Sequence, residues 1–349
     1  MTIYVYPADV SGCGHYRIIW PAQIAQKLGI DVKIIHPSER NPETSLSGQV
    51  RGDKLIKVNY PSDASAIVLQ RPTHKILHQA VKLLREDEGV PVIVDMDDDL
   101  SCIHPANPAF HAMHPQNDNT GHNWRYAQIA CMNASMVTTS TDALMQSYAP
   151  HGRGRVLYNC VPQRFLDLPV PERTHFGWAG SLHSHPDDLD VLGSSVEQLT
   201  RSGFSFKVIS SGKGVAQKLR LPNEVEDTGV VPMAQWPNEV NQLKVGIAPL
   251  ADTKFNKAKS WLKPLEYSAL GIPWVASPRH EYTRLQRYGG GLLAKKPSEW
   301  VSKIRRLMSD ESFYKEQSEA VKKTAEMFTY EKRAHLWVDA WMEAINTHP

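Results

Sequence analysis

From Leu243 to Ser277 the chain reads LKVGIAPLADTKFNKAKSWLKPLEYSALGIPWVAS, a strand, a polar loop, a short helix and a second strand. Val245 to Leu250 is a short apolar run, interrupted only by Pro249, and suits a strand buried on both faces. The loop carries Asp252, Lys254, Asn256, Lys257, Lys259 and Ser260. Leu262, Leu265, Tyr267 and Leu270 then supply the apolar positions of a helix, and Gly271 stops it. Its start is either Ser260 as N-cap or Pro264 as first helical residue. Pro273 begins the second strand, Trp274 to Ala276.

A helix start offers free N–H groups and partial positive charge to phosphate oxygens. Lys259 and Lys263 add cations at that end, and Glu266 supplies one carboxylate a turn further in. Two lysines, a helix N-terminus and an acid that accepts two hydrogen bonds describe a clamp for a nucleoside diphosphate, with the acid on the ribose hydroxyls. The plainer reading is a solvated Lys/Glu face.

The rest of the 349-residue chain suggests two domains. In residues 1–165, strands at Thr2–Tyr6, Asp31–Ile35, Ala66–Leu69, Pro91–Asp95 and Met136–Thr139 alternate with helices at His15–Leu28, Lys75–Glu86 and Trp124–Met132. A proline-rich linker, LYNCVPQRFLDLPVPER, leads to residues 166–325. There, strands at Phe176–Ala179 and Phe206–Ser210, helices at Asp187–Arg201 and Trp236–Leu243, and the opening stretch repeat the theme. Strand–helix alternation predicts α/β architecture, with two Rossmann-like, doubly wound sheets facing across a cleft and ligands beyond the C-terminal strand ends.

Composition narrows the class. With 41% hydrophobic and 22% charged residues, the chain is that of a globular protein, and its net charge of +2 leaves no basic stripe for duplex DNA. No apolar run reaches the roughly 20 residues of a membrane span, and MTIYVYPADVSG lacks the form of a secretory signal. Four scattered cysteines suggest neither a zinc site nor a disulfide framework. A cytoplasmic protein is expected.

Three further clusters carry candidate chemistry. Gly12-Cys13-Gly14-His15-Tyr16-Arg17 follows the first strand and opens a helix, but lacks the third glycine and distant acid of a dinucleotide fingerprint. Asp95-Met96-Asp97-Asp98-Asp99 ends the fourth strand, and four close carboxylates raise the pKa of at least one of them if no cation is near. Asp97 and Asp98 are thus candidate catalytic bases or ligands of an acceptor hydroxyl; a divalent metal site and simple capping are the alternatives. His104, His111, His114 and His122 lie in the long loop that follows, too broken by proline for a zinc site.

The motif KS-x-x-K-x-x-E-Y-x-A-x-G-I-P at Lys259–Pro273 resembles the donor segment of GT-B glycosyltransferases, of the retaining group-1, family-4-like type. That resemblance implies a glycosyltransferase moving a sugar from a nucleotide-diphosphate sugar to an acceptor hydroxyl, retaining and without a metal or other cofactor. It assigns Lys259 and Ser260 to the phosphates, with Lys263 beside them, and Glu266 to the ribose. In this setting Lys259 is catalytic because it steadies charge on the leaving diphosphate. Gly14, Tyr16, Arg17 and Asp95 become substrate-side residues, and residues 326–349 become a helix returning to the first domain. The family's earlier glutamate, which touches the sugar, is Ala258 here, so the sugar is recognised by other groups. The arginine and lysine usual after the first strand of the donor domain are also absent from 181–190. Gly180, Ser181 and His183 or His185 stand in for them, with Gly212 and Lys213 of the SGKG loop near the base. The combination of GCGHYR, DMDDDL and this motif is also similar to glycosyltransferases carried by bacteriophages. That likeness implies a location in the host cytoplasm and, as acceptor, a modified DNA base, a virion protein or a glycan. A GT-B-fold epimerase and a catalytically silent sugar-nucleotide-binding protein are the two rival readings.

Overall fold

The computed structural model describes residues 1–114 and 123–348. They form two compact units. The first comprises Met1–Pro105, Ala109–Asn159 and Tyr330–Pro349, and the second Ala106–Pro108 and Cys160–Thr329.

The first unit contains β1 (Thr2–Tyr6), β2 (Val32–Ile34), β3 (Ser47–Arg51), β4 (Lys54–Asn59), β5 (Ala64–Gln70), β6 (Val92–Met96), β7 (Met136–Thr139) and β8 (Gly154–Val156). Six of these make a parallel sheet in the order β2-β1-β5-β6-β7-β8. β6 and β7 are buried along their whole length, as strands of a parallel sheet covered on both faces are, with Asp95, Thr138 and Thr139 as buried polar residues toward their C-terminal ends. The antiparallel hairpin β3–β4 is not among the predicted strands. Its signals are present, though: Gly52 turns at φ +60, and Leu55 and Val58 are its buried apolar positions. The helix Lys75–Glu86 falls where the sequence places it. The C-terminal helix His335–Asn346 packs on β5, β6 and β7, with Trp337 and Trp341 buried. It thus returns to the first sheet, as expected.

The second unit contains β9 (His175–Ala179), β10 (Ser205–Ile209), β11 (Glu226–Asp227), β12 (Leu243–Ala248), β13 (Trp274–Ala276) and β14 (Leu292–Leu293), all parallel in the order β11-β10-β9-β12-β13-β14. Trp178, Val208, Ile247, Leu199, Ile304 and Trp300 form the centre of its core. The helix predicted over Asp187–Arg201 is split. A 3₁₀ turn, Asp188–Leu192, ends at Gly193 with φ +52, and Ser195–Arg201 continues as a separate helix. The helix Trp236–Val240 stops short of Leu243, which opens β12 instead.

Each sheet therefore reverses direction of winding at one place, between β1 and β5 in the first unit and between β9 and β12 in the second. The crevice beyond the C-terminal strand ends at such a reversal is where doubly wound sheets bind ligands.

Candidate functional site

The reversal between β9 and β12 is held by the helix Leu262–Ala269. Tyr267, wholly buried, donates its hydroxyl to the Ile247 carbonyl at 3.1 Å and accepts from the Ala179 amide at 2.9 Å, pinning the helix across both strand ends. One turn earlier, the Lys263 ammonium donates to the Ala179 carbonyl and lies 5.3 Å from the centre of the Trp178 ring. Burial pulls the Lys263 pKa down to about 8, against the attraction of Glu266 and Asp188 and with Lys259 adding to the fall. A Cβ on Gly180 would stand 2.6 Å from Trp178 and 2.8 Å from the Lys263 nitrogen, so only glycine leaves that lysine its place.

Glu266 is 6% exposed and accepts the Trp236 indole N–H at 2.7 Å. The indole thus orients this carboxylate. Lys259 lies 4.5 Å from the centre of the Phe255 ring. Neither predicted helix start is used. Trp261 occupies the N-cap, Pro264 is the third helical residue, and the Ser260 hydroxyl reaches the Leu262 amide only at 3.4 Å.

A buried carboxylate organises the neighbouring loop. Asp188 accepts from the Ala251 amide at 2.9 Å and the Asn256 side-chain amide at 2.6 Å through one oxygen, and pairs with His185 Nδ1 at 2.7 Å through the other. Despite burial, these donors hold the Asp188 carboxyl below its ordinary pKa. Burial lowers the His185 pKa, Lys263 and Lys259 lower it further, and Asp188 opposes them. The sequence pattern missed Asp188, whose signal was its place just after the glycine–histidine turn. His183 is exposed, its amide 3.3 Å from the Ser181 hydroxyl; His185 is the histidine tied into the cluster. In the SGKG loop, Ser210 has φ 103, the Gly212 amide donates to Asp227 at 2.7 Å, and Lys213 is exposed.

The first unit treats its predicted site residues differently. Arg17 grips Asp95 with two hydrogen bonds, 3.1 and 2.7 Å, both side chains being 1% exposed. It also donates to the Leu157 carbonyl and to Asn159, lies 5.6 Å from the centre of the Trp337 ring, and Asp95 takes the Thr138 hydroxyl at 2.7 Å. Tyr16 is buried as well, and its carbonyl accepts the Tyr330 hydroxyl. The Tyr16 and Arg17 carbonyls thus hold the returning C-terminal segment through Tyr330 and Trp337, Asp95 holds Arg17, and all three side chains are buried. Gly14 has an internal reason too, because a Cβ there would meet the Asp9 carbonyl at 1.8 Å.

The carboxylates after β6 are not without cations. Burial raises the Asp95 pKa although Arg17 and Thr138 oppose it, so burial rather than mutual repulsion dominates. Arg71, at φ 46, pairs with Asp9 and lies 3.3 Å from Asp97. Asp99 caps the turn Leu100–Cys102 through Ser101, and Asp98 is half-buried. His114 is bound to the Leu100 carbonyl at 2.6 Å and stacked on Phe110; His111 is exposed, and His122 lies outside the described residues. A cavity of about 760 Å³ opens on the β2 side of this sheet, lined by Tyr6, His36, Arg40, Ser45, Gln70 and His74 among others.

Among the described residues, no helix is long and apolar enough to cross a membrane. Residues 173–310 match the family model described as glycosyl transferases group 1, a span that contains the whole β9–β12 cluster. A comparison of the sequence with curated proteins gives no match. Among solved structures, the chain is similar to a glycosyltransferase from Rickettsia africae, at 14% identity and TM-score 0.65, covering 99% of both chains. It is similar to an Anabaena protein in complex with UDP and glucose, at 12% identity and TM-score 0.63, covering 98% of this chain and 99% of that one. An α-glucosyltransferase in complex with UDP-glucose and DNA containing an abasic site is similar at 10% identity and TM-score 0.63, covering 99% of both. With two doubly wound parallel sheets and likenesses spanning nearly the whole chain, the fold is of the GT-B type.

Proposed function

We propose that the protein is a glycosyltransferase that takes a nucleotide-diphosphate sugar as donor and transfers the sugar to an acceptor hydroxyl, with retention and without a metal ion. One observation carries this reading. Lys259, Lys263, Glu266 and the His185–Asp188 pair converge on the β9–β12 reversal, inside the span matched by the family model. In this role Glu266 holds the ribose, oriented by Trp236. Lys259, Lys263 and the Ser181 amide steady the diphosphate, whose negative charge grows as the bond from the anomeric carbon to its oxygen breaks, while Gly180, its own amide held by the Ile209 carbonyl at 3.0 Å, leaves Lys263 its place. The lysines supply positive charge where a divalent cation would otherwise serve. Gly212 and Lys213 lie toward the base. Asp97, side chain 8% exposed beside Arg71, and Asp98 serve the acceptor hydroxyl. The large cavity on the β2 side of the first unit lends that unit room for an acceptor. The glucosyltransferase bound to DNA makes a base hydroxyl one acceptor to test, beside a virion protein and a glycan.

The test is a thermal-shift panel of UDP-, GDP-, ADP- and dTDP-glucose on the wild type, followed by turnover of Lys259→Ala and Glu266→Gln. The glutamine keeps an acceptor for the Trp236 indole while removing the charge. Stabilisation by one nucleotide sugar with transfer lost in both variants is expected; undiminished transfer in both removes the assignment.

A further inference from the structure

We propose that His185, oriented by Asp188, binds the donor diphosphate through Nε2–H, and that donor binding draws a proton onto this ring. The proposal rests on the donor reading above and deepens it. It starts from the geometry of the turn after β9, where no arginine or lysine occurs in 181–190. His185 Nδ1 is committed to Asp188 at 2.7 Å, which fixes that nitrogen as a donor to the carboxylate. The opposite nitrogen, Nε2, has no hydrogen-bond partner among the described residues, and the side chain is 19% exposed. The ring stands edge-on to Trp178 at 6.4 Å, and the Lys263 ammonium lies near that same indole at 5.3 Å. Histidine and lysine therefore flank one aromatic plate at the β9 strand end.

The charges facing His185 explain why it waits for an anion. Asp188, on its own segment, favours the imidazolium. Burial disfavours it most, and Lys263 from the helix Leu262–Ala269 and Lys259 from the loop before it add to that. The pKa of the free protein is consequently below the ordinary histidine value. A diphosphate placed among these groups offsets both lysines, so the ring becomes protonated and donates from Nε2. The sign follows: the protonated form binds better, so affinity falls as pH rises from the free pKa to the bound one, by at most about tenfold per pH unit. No proton need move during transfer itself. Asp188 acts as a positioning residue, since it also ties down Ala251 and Asn256 of the lysine-bearing loop.

The experiment is calorimetric titration of the full chain with UDP-glucose, or whichever of the four glucose nucleotides gives the largest thermal shift. Runs near neutral pH in two buffers of different ionisation enthalpy read the protons taken up. Both phosphates of such a donor are esterified, so its own charge is constant in this range. The wild type should take up a substantial fraction of a proton. His185→Gln should bind about tenfold more weakly and lose most of the uptake. His185→Lys should restore affinity, again with only the small uptake that Lys263 contributes, and with a nearly flat pH profile across the neutral range. Asp188→Asn should lower the uptake, and a purely structural role for Asp188 would weaken binding with the uptake unchanged. Uptake in His185→Lys undiminished from the wild type assigns the proton to Lys263 and overturns the proposal. Wild-type binding without uptake, matched by His185→Gln, overturns it while leaving the donor reading intact. No binding of any of the four by the wild type removes the donor reading and this proposal together.

Discussion

The two sheets reverse their winding in the same way and put opposite demands on the residues there. At the β1–β5 reversal, charge is spent internally. Arg17 is consumed by Asp95, Arg71 by Asp9 and Asp97, and the Gln70 side chain bridges the Ala8 amide and the Cys13 carbonyl. At the β9–β12 reversal, Lys263 is bound to a backbone carbonyl rather than an acid, and its pKa is depressed. The lesson is that strand order identifies two possible crevices, and the local balance of charge distinguishes the one suited to an anion. A buried arginine already neutralised by a bidentate carboxylate has little to offer a phosphate; a lysine held near a histidine and another lysine gains from one.

The sharpest way to break this contrast is Arg17→Ala. It leaves the Asp95 carboxylate buried without its cation and should cost about 3–5 kcal/mol of stability by urea denaturation. Donor affinity of the folded fraction should be unaffected, and a loss of binding at unchanged stability would make Arg17 a ligand residue after all. Next, Lys259→Ala and Glu266→Gln should each lower transfer by about 10²–10³ in kcat, with unfolding midpoints within a few degrees of wild type. Gly14→Ala pushes a methyl group against a backbone carbonyl and should destabilise by about 1–3 kcal/mol, with no change in donor affinity. Gly180→Ala is its counterpart in the second unit. Its methyl meets a ring and the far end of a lysine, which yields more easily, so stability should fall by about 1 kcal/mol. Donor affinity should drop by about tenfold as Lys263 is displaced. If the two glycine variants behave alike, the distinction between the reversals fails. The smallest effect concerns pH: with the free Lys263 pKa at about 8, donor affinity should decline gently in alkaline buffer, and Lys263→Arg should remove the decline.

Much of this architecture was legible because parallel strands buried on both faces write themselves as apolar runs, and turns between them as glycine and proline. β1, β6, β7, β9 and β12 follow from that pattern, as does the helix that begins beyond Lys259. The hairpin β3–β4 escaped because its strands are largely exposed, leaving Leu55 and Val58 as the buried anchors. The split at Gly193 escaped because its cause is a single left-handed residue inside an otherwise helical composition.

The sequence by itself determined which residue types lie near one another along the chain: two lysines and an acid around one helix start, four carboxylates after one strand, a glycine turn after another. Only the tertiary structure decided who partners whom. Arg17 lies 78 residues from Asp95 and 320 from Trp337, Trp236 lies 30 from Glu266, and Asp188 lies 68 from Asn256. Electrostatic energy depends on separation in space and on the water excluded between charges. An isolated arginine, histidine or aspartate in the text therefore carries no sign of whether folding will spend its charge inside the protein or leave it facing a ligand.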